Sequence, residues 1–123
     1  MRPYTHKDWA ELCSWYSSRG LNHPRSEYLS DVGLFEPMIG AGWLYTTNSK
    51  VAFIDGLISN VEIPSKIRGA VLIEIGDALM RKAVELGFRQ VLITTQNCNI
   101  KRWASDNRGF IDLGQHQMLS KEI

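Results

Sequence analysis

The chain of 123 residues carries 14 basic and 13 acidic residues, so its formal charge at pH 7 is +1. A balance this close to zero provides no basic field and disfavours nucleic acid or a membrane surface as a partner. Apolar residues make up 44% of the chain and charged residues 22%, which is typical of a soluble globular protein. The length predicts one domain over residues 1–123.

Compartment and metal content are constrained by a few residue types. No apolar run approaches the roughly 20 residues of a membrane-spanning helix, and the start MRPYTHKDW lacks the apolar segment of a secretion signal. Cys13 and Cys98 lie far apart and form no paired motif. We therefore expect a cytoplasmic protein. His6, His23 and His116 are scattered without ligand spacing, so we expect no metal site.

The first predicted element is a helix. Thr5 and Asp8 form a capping-box-like start, and Gly20 is placed to end the helix. One apolar face recurs between them, at Trp9, Leu12, Cys13 and Tyr16. The polar segment 21–31 predicts a loop with a short helical turn near Tyr28.

Short apolar runs broken by turn residues follow from residue 32. The runs VGLFE, AGWLYTT and VAFIDGLIS predict an antiparallel meander. In the third run, a period of two places one set of side chains on one side: Ala52, Ile54, Gly56 and Ile58. The other side then carries Phe53, Asp55, Leu57 and Ser59. This alternation predicts that the Asp55 carboxylate sits among apolar neighbours.

A long helix is predicted next, from Pro64 and Ser65 to Leu86. Proline suits a helix entry, Ser65 is a candidate N-cap, and Gly87 is a candidate stop. Its wide apolar stripe indicates a helix laid across a sheet. The β-branched run RQVLITT, residues 89–95, predicts a buried strand parallel to its neighbour, so that strand, helix and strand form a crossover unit.

Two short segments complete the chain. NIKRWASDNRGF has apolar residues at helical spacing and ends at Gly109, which predicts a short helix with Trp103 in its packed face. FIDLGQHQMLS alternates enough to predict a final strand.

This order of elements resembles the GCN5-related N-acetyltransferase (GNAT) superfamily over nearly the whole chain. Three segments carry the resemblance: RPYTHKDWAEL, VEIPSKIRGAVLIEIGDALMRKAVELGFRQVLI and NIKRWASDNRGF. The resemblance implies an α/β fold with a mixed, mostly antiparallel sheet and helices on both faces. Strands 51–59 and 89–95 would form a splayed parallel pair, and ligands would enter at the splay.

The resemblance also implies acetyl-CoA as co-substrate. Family members bind its pyrophosphate through backbone N–H groups in a loop written Q/R-x-x-G-x-G/A at a helix start, where the helix dipole favours an anion. One register places Lys66 first and Gly69 fourth, with Val71 at the second small position. The other begins at Arg68 and puts Val71 and Ile73 at the small positions.

Nine residues are implied to contact the cofactor. They are Leu57, Ile58, Ser59, Lys66, Arg68, Gly69, Ala70, Val71 and Asn99. The amides of Gly69, Ala70 and Val71 are the candidate pyrophosphate donors. The alternative is that Pro64 to Gly69 is an ordinary turn with solvated basic residues, and that Asn99 only caps its helix.

Asp55 and Ser105 occupy the family's catalytic positions. The resemblance implies Asp55 as the base that deprotonates the amine, with its pKa raised by apolar neighbours; the alternative is a strand aspartate facing solvent. Ser105 stands where many members carry a tyrosine, and a serine is a poorer acid for the departing thiolate. Tyr16, Tyr45, Cys98 or a water molecule are the candidate substitutes.

The predicted function is acetyl-CoA-dependent N-acetyltransfer directly to an amine on a small molecule or a protein. A short 21–31 region favours a large acceptor, and a homodimer is a further option. The alternative is a catalytically inactive GNAT-like binding or structural module, and a third hypothesis is an acyl-CoA sensor.

Overall fold

A computed structural model describes residues 1–95 and 97–123, without the side chains of Cys98 and Asn107. The strands within these residues are β1 Arg2–Pro3, β2 Val32–Glu36, β3 Gly40–Tyr45, β4 Val51–Ser59 and β5 Gln90–Ile93. The helices are α1 Trp9–Ser18, α2 Ser65–Glu85 and α3 Cys98–Arg102, which continues into a π-helical turn, Trp103–Asn107. Short 3₁₀ turns occupy His6–Asp8 and Ser26–Tyr28, the second at the helical turn that the sequence predicts.

The strands form one sheet in the order β1–β2–β3–β4–β5. All neighbouring strands are antiparallel except β4 and β5, which are parallel and joined by the crossover helix α2. The β4–β5 pairing ends at Ile54, whereas β4 continues to Ser59. The two strands therefore diverge, and the predicted mixed sheet with a splayed parallel pair is confirmed.

Helices cover both faces of the sheet, as predicted. Helix α1 packs on one face, hereafter the α1 face, and its core contains Leu12, Trp15, Phe35, Ala41, Trp43 and Ile58. Helix α2 packs on the other, the α2 face, and its core contains Leu44, Ala52, Ile54, Ile75, Leu79 and Ala83. None of the helices within the described residues is both long and apolar enough to cross a bilayer.

The start of α1 is anchored by a buried carboxylate. Asp8 receives two hydrogen bonds from the Arg2 guanidinium, at 2.7 and 2.8 Å, and one from the Thr5 backbone N–H at 2.9 Å. The Arg2 hydrogen bonds, supported by Thr5, lower the pKa of Asp8 to about 2. The predicted pairing of Thr5 with Asp8 is confirmed, and Arg2 adds the partner that ties β1 to this turn.

A β-bulge interrupts β4. Trp43 pairs with Asp55 and Ala41 pairs with Ile58, so one residue of β3 faces two residues of β4, Gly56 and Leu57. Gly56 has φ +70°, and a Cβ on it would lie 2.9 Å from the Trp43 ring. The bulge shifts the alternation by one residue: Leu57 packs on the α2 face and Ile58 on the α1 face. The predicted alternation through Ser59 is therefore wrong beyond Asp55.

Two helix starts also differ from the prediction. Pro64 is the N-cap of α2, one residue before the predicted cap at Ser65, and Ser65 is the first helical residue. At α3 the N-cap is Asn97, whose side chain accepts hydrogen bonds from the amides of Asn99 at 2.8 Å and Ile100 at 3.2 Å. Asn99 is therefore inside the helix, and its predicted capping role is wrong.

The predicted final strand does not form. Residues 109–123 have no regular secondary structure, and four of their large apolar side chains are 67–87% exposed: Ile111, Leu113, Met118 and Leu119. A strand needs a partner edge, and the chain instead brings Glu122 to the loop before β2, where it contacts Arg25 and Tyr28. The end of this chain thus adds no strand to its own sheet.

Candidate functional site

A cavity of about 500 Å³ opens where β4 and β5 diverge. Its walls come from the end of β4, the first half of α2, and α3 with the residue that caps it. Seven residues with a predicted cofactor contact line it: Leu57, Ser59, Lys66, Arg68, Gly69, Ala70 and Asn99. The other two, Ile58 and Val71, pack into the cores of the α1 and α2 faces instead.

The cavity is strongly cationic. Arg19, Lys66, Arg68 and Arg102 line it, and no aspartate or glutamate is among its described lining residues. The whole chain has a formal charge of only +1, so the positive charge of this recess comes from the local clustering of cations and not from the composition of the chain. A recess lined by a single sign of charge attracts ligands of the opposite sign, so the cavity is suited to an anion.

Arg19 reaches the cavity from the C-terminal end of α1. Its Nη2 donates to the backbone oxygen and to Oγ of Ser59, each at 2.9 Å. These bonds join α1 to the end of β4 and hold one cation at the wall. Sequence reasoning missed Arg19, because its partner lies 40 residues away and no local motif marks the contact. Asn97 and Arg102 were missed as lining residues as well.

Arg68 presents a donor that the protein does not satisfy. Its Nε is buried and has no hydrogen-bond partner among the described residues. Leaving a buried donor unpaired costs free energy, more so on a charged group. Because Arg68 lines the cavity, an anionic ligand is the natural acceptor for this N–H.

The first turn of α2 faces the cavity with open amides. The amides of Ile67 and Arg68 donate to the Pro64 oxygen at 3.0 and 3.1 Å, so those of Ser65 and Lys66 precede the intrahelical bonds. Both of these residues line the cavity. The predicted donors, Gly69, Ala70 and Val71, lie in the second turn, where amides bond the preceding turn. Their predicted donor role is wrong, because α2 begins at Ser65.

Gly69 contributes space. It lies inside α2, where glycine is less favourable than alanine by about 0.5–1 kcal/mol. A Cβ at this position would meet nothing within 4 Å, so packing within the protein does not require a glycine. Gly69 lines the cavity, and its missing side chain allows a ligand to approach the helix backbone.

Helix α3 is held against α2 by a close contact and an ion pair. A Cβ on Gly76 would lie 2.7 Å from the Trp103 ring, so the indole rests directly on the α2 backbone. The Arg108 Nε donates to Asp77 at 2.7 Å and lowers the pKa of that carboxyl. Trp103 is buried, as predicted, and also lines the cavity. These contacts position the asparagines and Arg102 of the α3 wall.

The two catalytic candidates lie outside the cavity lining. Asp55 is exposed on the α1 face, and its Oδ1 accepts the Gly56 N–H at 2.8 Å. Leu57, which the alternation places on the same side as Asp55, instead packs on the α2 face at the bulge. Ser105 is half-buried in the π-helical turn.

Two tyrosines share the electrostatic environment of Asp55. Burial, and then the Asp55 carboxylate, raise the pKa of Tyr16 to about 12. The same two causes raise the pKa of Tyr45. Both phenols therefore stay protonated near neutral pH and are weaker acids than a thiol, whose pKa is roughly 8.5. The other predicted acid, the Cys98 side chain, lies outside the described residues.

A metal site finds no support in the described part of the chain. Within residues 1–95 and 97–123, no group of three His, Cys, Asp or Glu side chains is placed to hold a metal ion.

Comparison with known proteins identifies the fold. No family model matches the chain, and no curated protein matches it in sequence. Among solved structures, a transcriptional regulator from Bacillus halodurans C-125 matches with a TM-score of 0.69 at 12% identity, covering 98% of this chain and 97% of its own. An acetyltransferase from Trypanosoma brucei matches with a TM-score of 0.56 at 14% identity and the same coverage. Both neighbours are GNAT-like, and this chain therefore has a GNAT-like fold.

Proposed function

We propose that this protein binds acetyl-CoA in the cavity and transfers the acetyl group directly to an amine. One observation carries the proposal: a cavity with four cations and no described carboxylate opens at the β4–β5 splay of a GNAT-like sheet. One structural neighbour is named an acetyltransferase, which supports this class of reaction.

Different cavity residues would contact different parts of acetyl-CoA. The phosphate groups would be held by Lys66, Arg68 and Arg102 together with the open amides at the start of α2, because charge-assisted bonds to phosphate are strong. Gly69 leaves room beside the helix backbone. Asn97 and Asn99 offer amide groups on the opposite wall.

The transfer step requires three proton and charge movements. The amine loses a proton to a base, its nitrogen attacks the thioester carbon, and the C–S bond breaks as the thiolate leaves and takes up a proton. Asp55 is the proposed base, from its position on the α1 face of β4. The amine acceptor, on a small molecule or a protein, would then approach from that face.

The binding proposal is tested by thermal denaturation with acetyl-CoA and with free CoA. We expect both to raise the melting temperature, because a ligand at 100 times its Kd stabilises the folded state by about 2.7 kcal/mol. Arg68→Gln should weaken binding at least about tenfold, since it removes a charged donor from the cavity.

The matched control is Arg81→Gln, an exposed arginine of the same helix that does not line the cavity. It should leave the ligand-induced shift unchanged. An absence of any shift at millimolar acetyl-CoA in the wild type would contradict the proposed function.

A second candidate is a binding module that holds an acyl-CoA without transferring the acyl group. It is favoured by one observation: Asp55 and Ser105 both lie outside the cavity lining. Asp55→Asn separates the two candidates. If Asp55 is the base, turnover with amines should fall about 10²–10⁴-fold, while acetyl-CoA binding stays unchanged. Binding without any wild-type turnover would support the module.

A further inference from the structure

Strands β4 and β5 carry a part of the α1 face that lies outside its core. Phe53 pairs with Tyr45, and Asp55 pairs with Trp43. Because Tyr45 and Trp43 pack with the α1-face core, their partners point to the same face. Leu92 pairs with Phe53 and points there as well. Phe53, Asp55 and Leu92 are not members of that core, and we call these three side chains the β4–β5 surface.

Phe53 and Leu92 form an apolar strip on this surface. Phe53 is 39% exposed although its side chain is a large aromatic ring, and Leu92 is half-buried. Neighbouring strands lie about 4.8 Å apart, so the two side chains are adjacent. A ligand with an apolar group would gain free energy by covering this strip, because the cover removes apolar surface from water.

The Asp55 carboxylate lies at one end of the strip with capacity for a further partner. Its Oδ1 accepts the Gly56 N–H at 2.8 Å, whereas its Oδ2 accepts no hydrogen bond from the described residues. No lysine, arginine or histidine within residues 1–95 and 97–123 forms a described ion pair with it. A cationic ligand would therefore meet a carboxylate that is not neutralised by a described cation.

The spacing between the carboxylate and the strip restricts the acceptor. Asp55 and Phe53 are two residues apart on one strand, which places them about 6–7 Å from each other. An amine that binds Asp55 and also reaches Phe53 must carry its apolar group on a linker of a few bonds. A second charge at that distance would lose hydration over the strip. A carboxylate beside the amine would be repelled by Asp55.

We propose that the acceptor is a small hydrophobic amine, whose ammonium group binds Asp55 and whose apolar group covers Phe53 and Leu92. The inference rests on the proposed function, because it names the substrate of that transfer. The nearby phenols of Tyr16 and Tyr45 stay neutral, so they do not compete as cations for the carboxylate. The ammonium gives one proton to Asp55, and its nitrogen bonds the acetyl carbon. The C–S bond then breaks, and the second proton passes to the leaving thiolate.

The test compares three amines as acceptors for the full chain with acetyl-CoA. Phenylethylamine carries an apolar ring, phenylalanine adds a carboxylate to the same skeleton, and diaminobutane ends in a second ammonium group instead of the ring. We expect kcat/KM for phenylethylamine to exceed the other two values at least about tenfold, because only this amine suits both the carboxylate and the strip. Equal values for the three amines, or a higher value for either of the others, would overturn the proposal.

The strip itself is tested by Phe53→Ser. The ratio of kcat/KM for phenylethylamine to that for methylamine, which has no apolar group beyond its methyl, should fall at least about tenfold, mainly through KM. The matched control is Val84→Ser, because Val84 is an apolar residue of α2 that is 70% exposed and lines neither surface. The control should keep the wild-type ratio, and a circular dichroism melt checks that both variants fold. An unchanged ratio in folded Phe53→Ser would overturn the proposal.

Direct binding separates a failure of this inference from a failure of the proposed function. Phenylethylamine is titrated into the protein with and without free CoA, from which no acetyl transfer is possible. Binding that Phe53→Ser weakens, without turnover on acetyl-CoA, would support the amine site and contradict only the proposed transfer. No binding of phenylethylamine at millimolar concentration, or binding that Phe53→Ser leaves intact, would overturn the hydrophobic-amine proposal even where acetyl-CoA binds.

Discussion

The two faces of β4 carry different chemistry. On the cavity side, Leu57 and Ser59 border a recess with four cations and no described acid. On the α1 face, the exposed Asp55 carboxylate lies near the neutral phenols of Tyr16 and Tyr45. A single strand thus separates a surface suited to an anion from one suited to a cationic amine.

Under the proposed function, ligand binding and acid–base chemistry fall to separate sets of residues. At the bulge formed by Gly56 and Leu57, the alternation of β4 side chains between the two faces shifts by one residue. Variants that act on one face, or on the bulge itself, can therefore test whether the two faces are independent.

The largest effect is expected from Gly56→Val, which should disturb both faces. A β-branched side chain at φ +70° is strained, and its Cβ would lie 2.9 Å from the buried Trp43 ring. Strain and overpacking together should lower the free energy of unfolding by about 2–5 kcal/mol. Urea denaturation measures this loss, and a variant as stable as the wild type would show that the bulge relaxes freely.

A smaller effect, confined to the α1 face, is expected from Asp8→Asn. The variant removes the ion pair with Arg2 that anchors the start of α1. Asp8 is 6% exposed, but the Arg2 side chain is 45% exposed, so water screens part of the interaction. The expected loss is about 1–2 kcal/mol of unfolding free energy. Ligand binding in the cavity should not change.

The same carboxyl predicts a pH dependence. The pKa of Asp8 is lowered from 3.8 in the unfolded chain to about 2 in the folded protein. Its stabilising contribution is therefore complete above about pH 4 and is lost as the pH falls from about 4 towards 2. Denaturation curves of wild type and Asp8→Asn should converge over this range, and parallel curves would contradict the assignment.

The smallest effect, on the cavity face, is expected from Gly69→Ala. The substitution should raise the free energy of unfolding by about 0.5–1 kcal/mol, because it relieves a glycine inside a helix and meets no neighbour. The same methyl group should weaken acetyl-CoA binding if the ligand approaches the backbone there. Isothermal titration decides: unchanged affinity would show that Gly69 is not a contact.

Much of the fold follows from sequence pattern. Strands β2 and β4 have the predicted bounds, and α2 ends at the predicted glycine stop, where Gly87 has φ +87°. These segments have strong periodicity and clear turn residues, so local signals suffice to place them. The order of elements then places the splay, and with it the cavity.

The remaining features depend on contacts between distant residues. The bulge follows from register against β3, which a period of two along β4 does not reveal. Arg19 is held at the cavity wall by its hydrogen bond to Ser59, which is distant in sequence. Asn97, and not Asn99, caps α3, because the Asn97 side chain accepts the hydrogen bond of the Asn99 amide. Residues 110–120 have the pattern of a strand, but a pattern does not specify a partner edge.

The bulge also decides which deletion in β4 the two surfaces would survive. Because Gly56 and Leu57 together face one residue of β3, removing Gly56 would restore regular pairing without shortening the ladder. Ile58 would still pair with Ala41 and pack on the α1 face. Leu57 and Ser59 would stay on the cavity side, and Ser59 would keep its hydrogen bonds with Arg19. A single-residue deletion at this point would thus leave the walls of both surfaces in place.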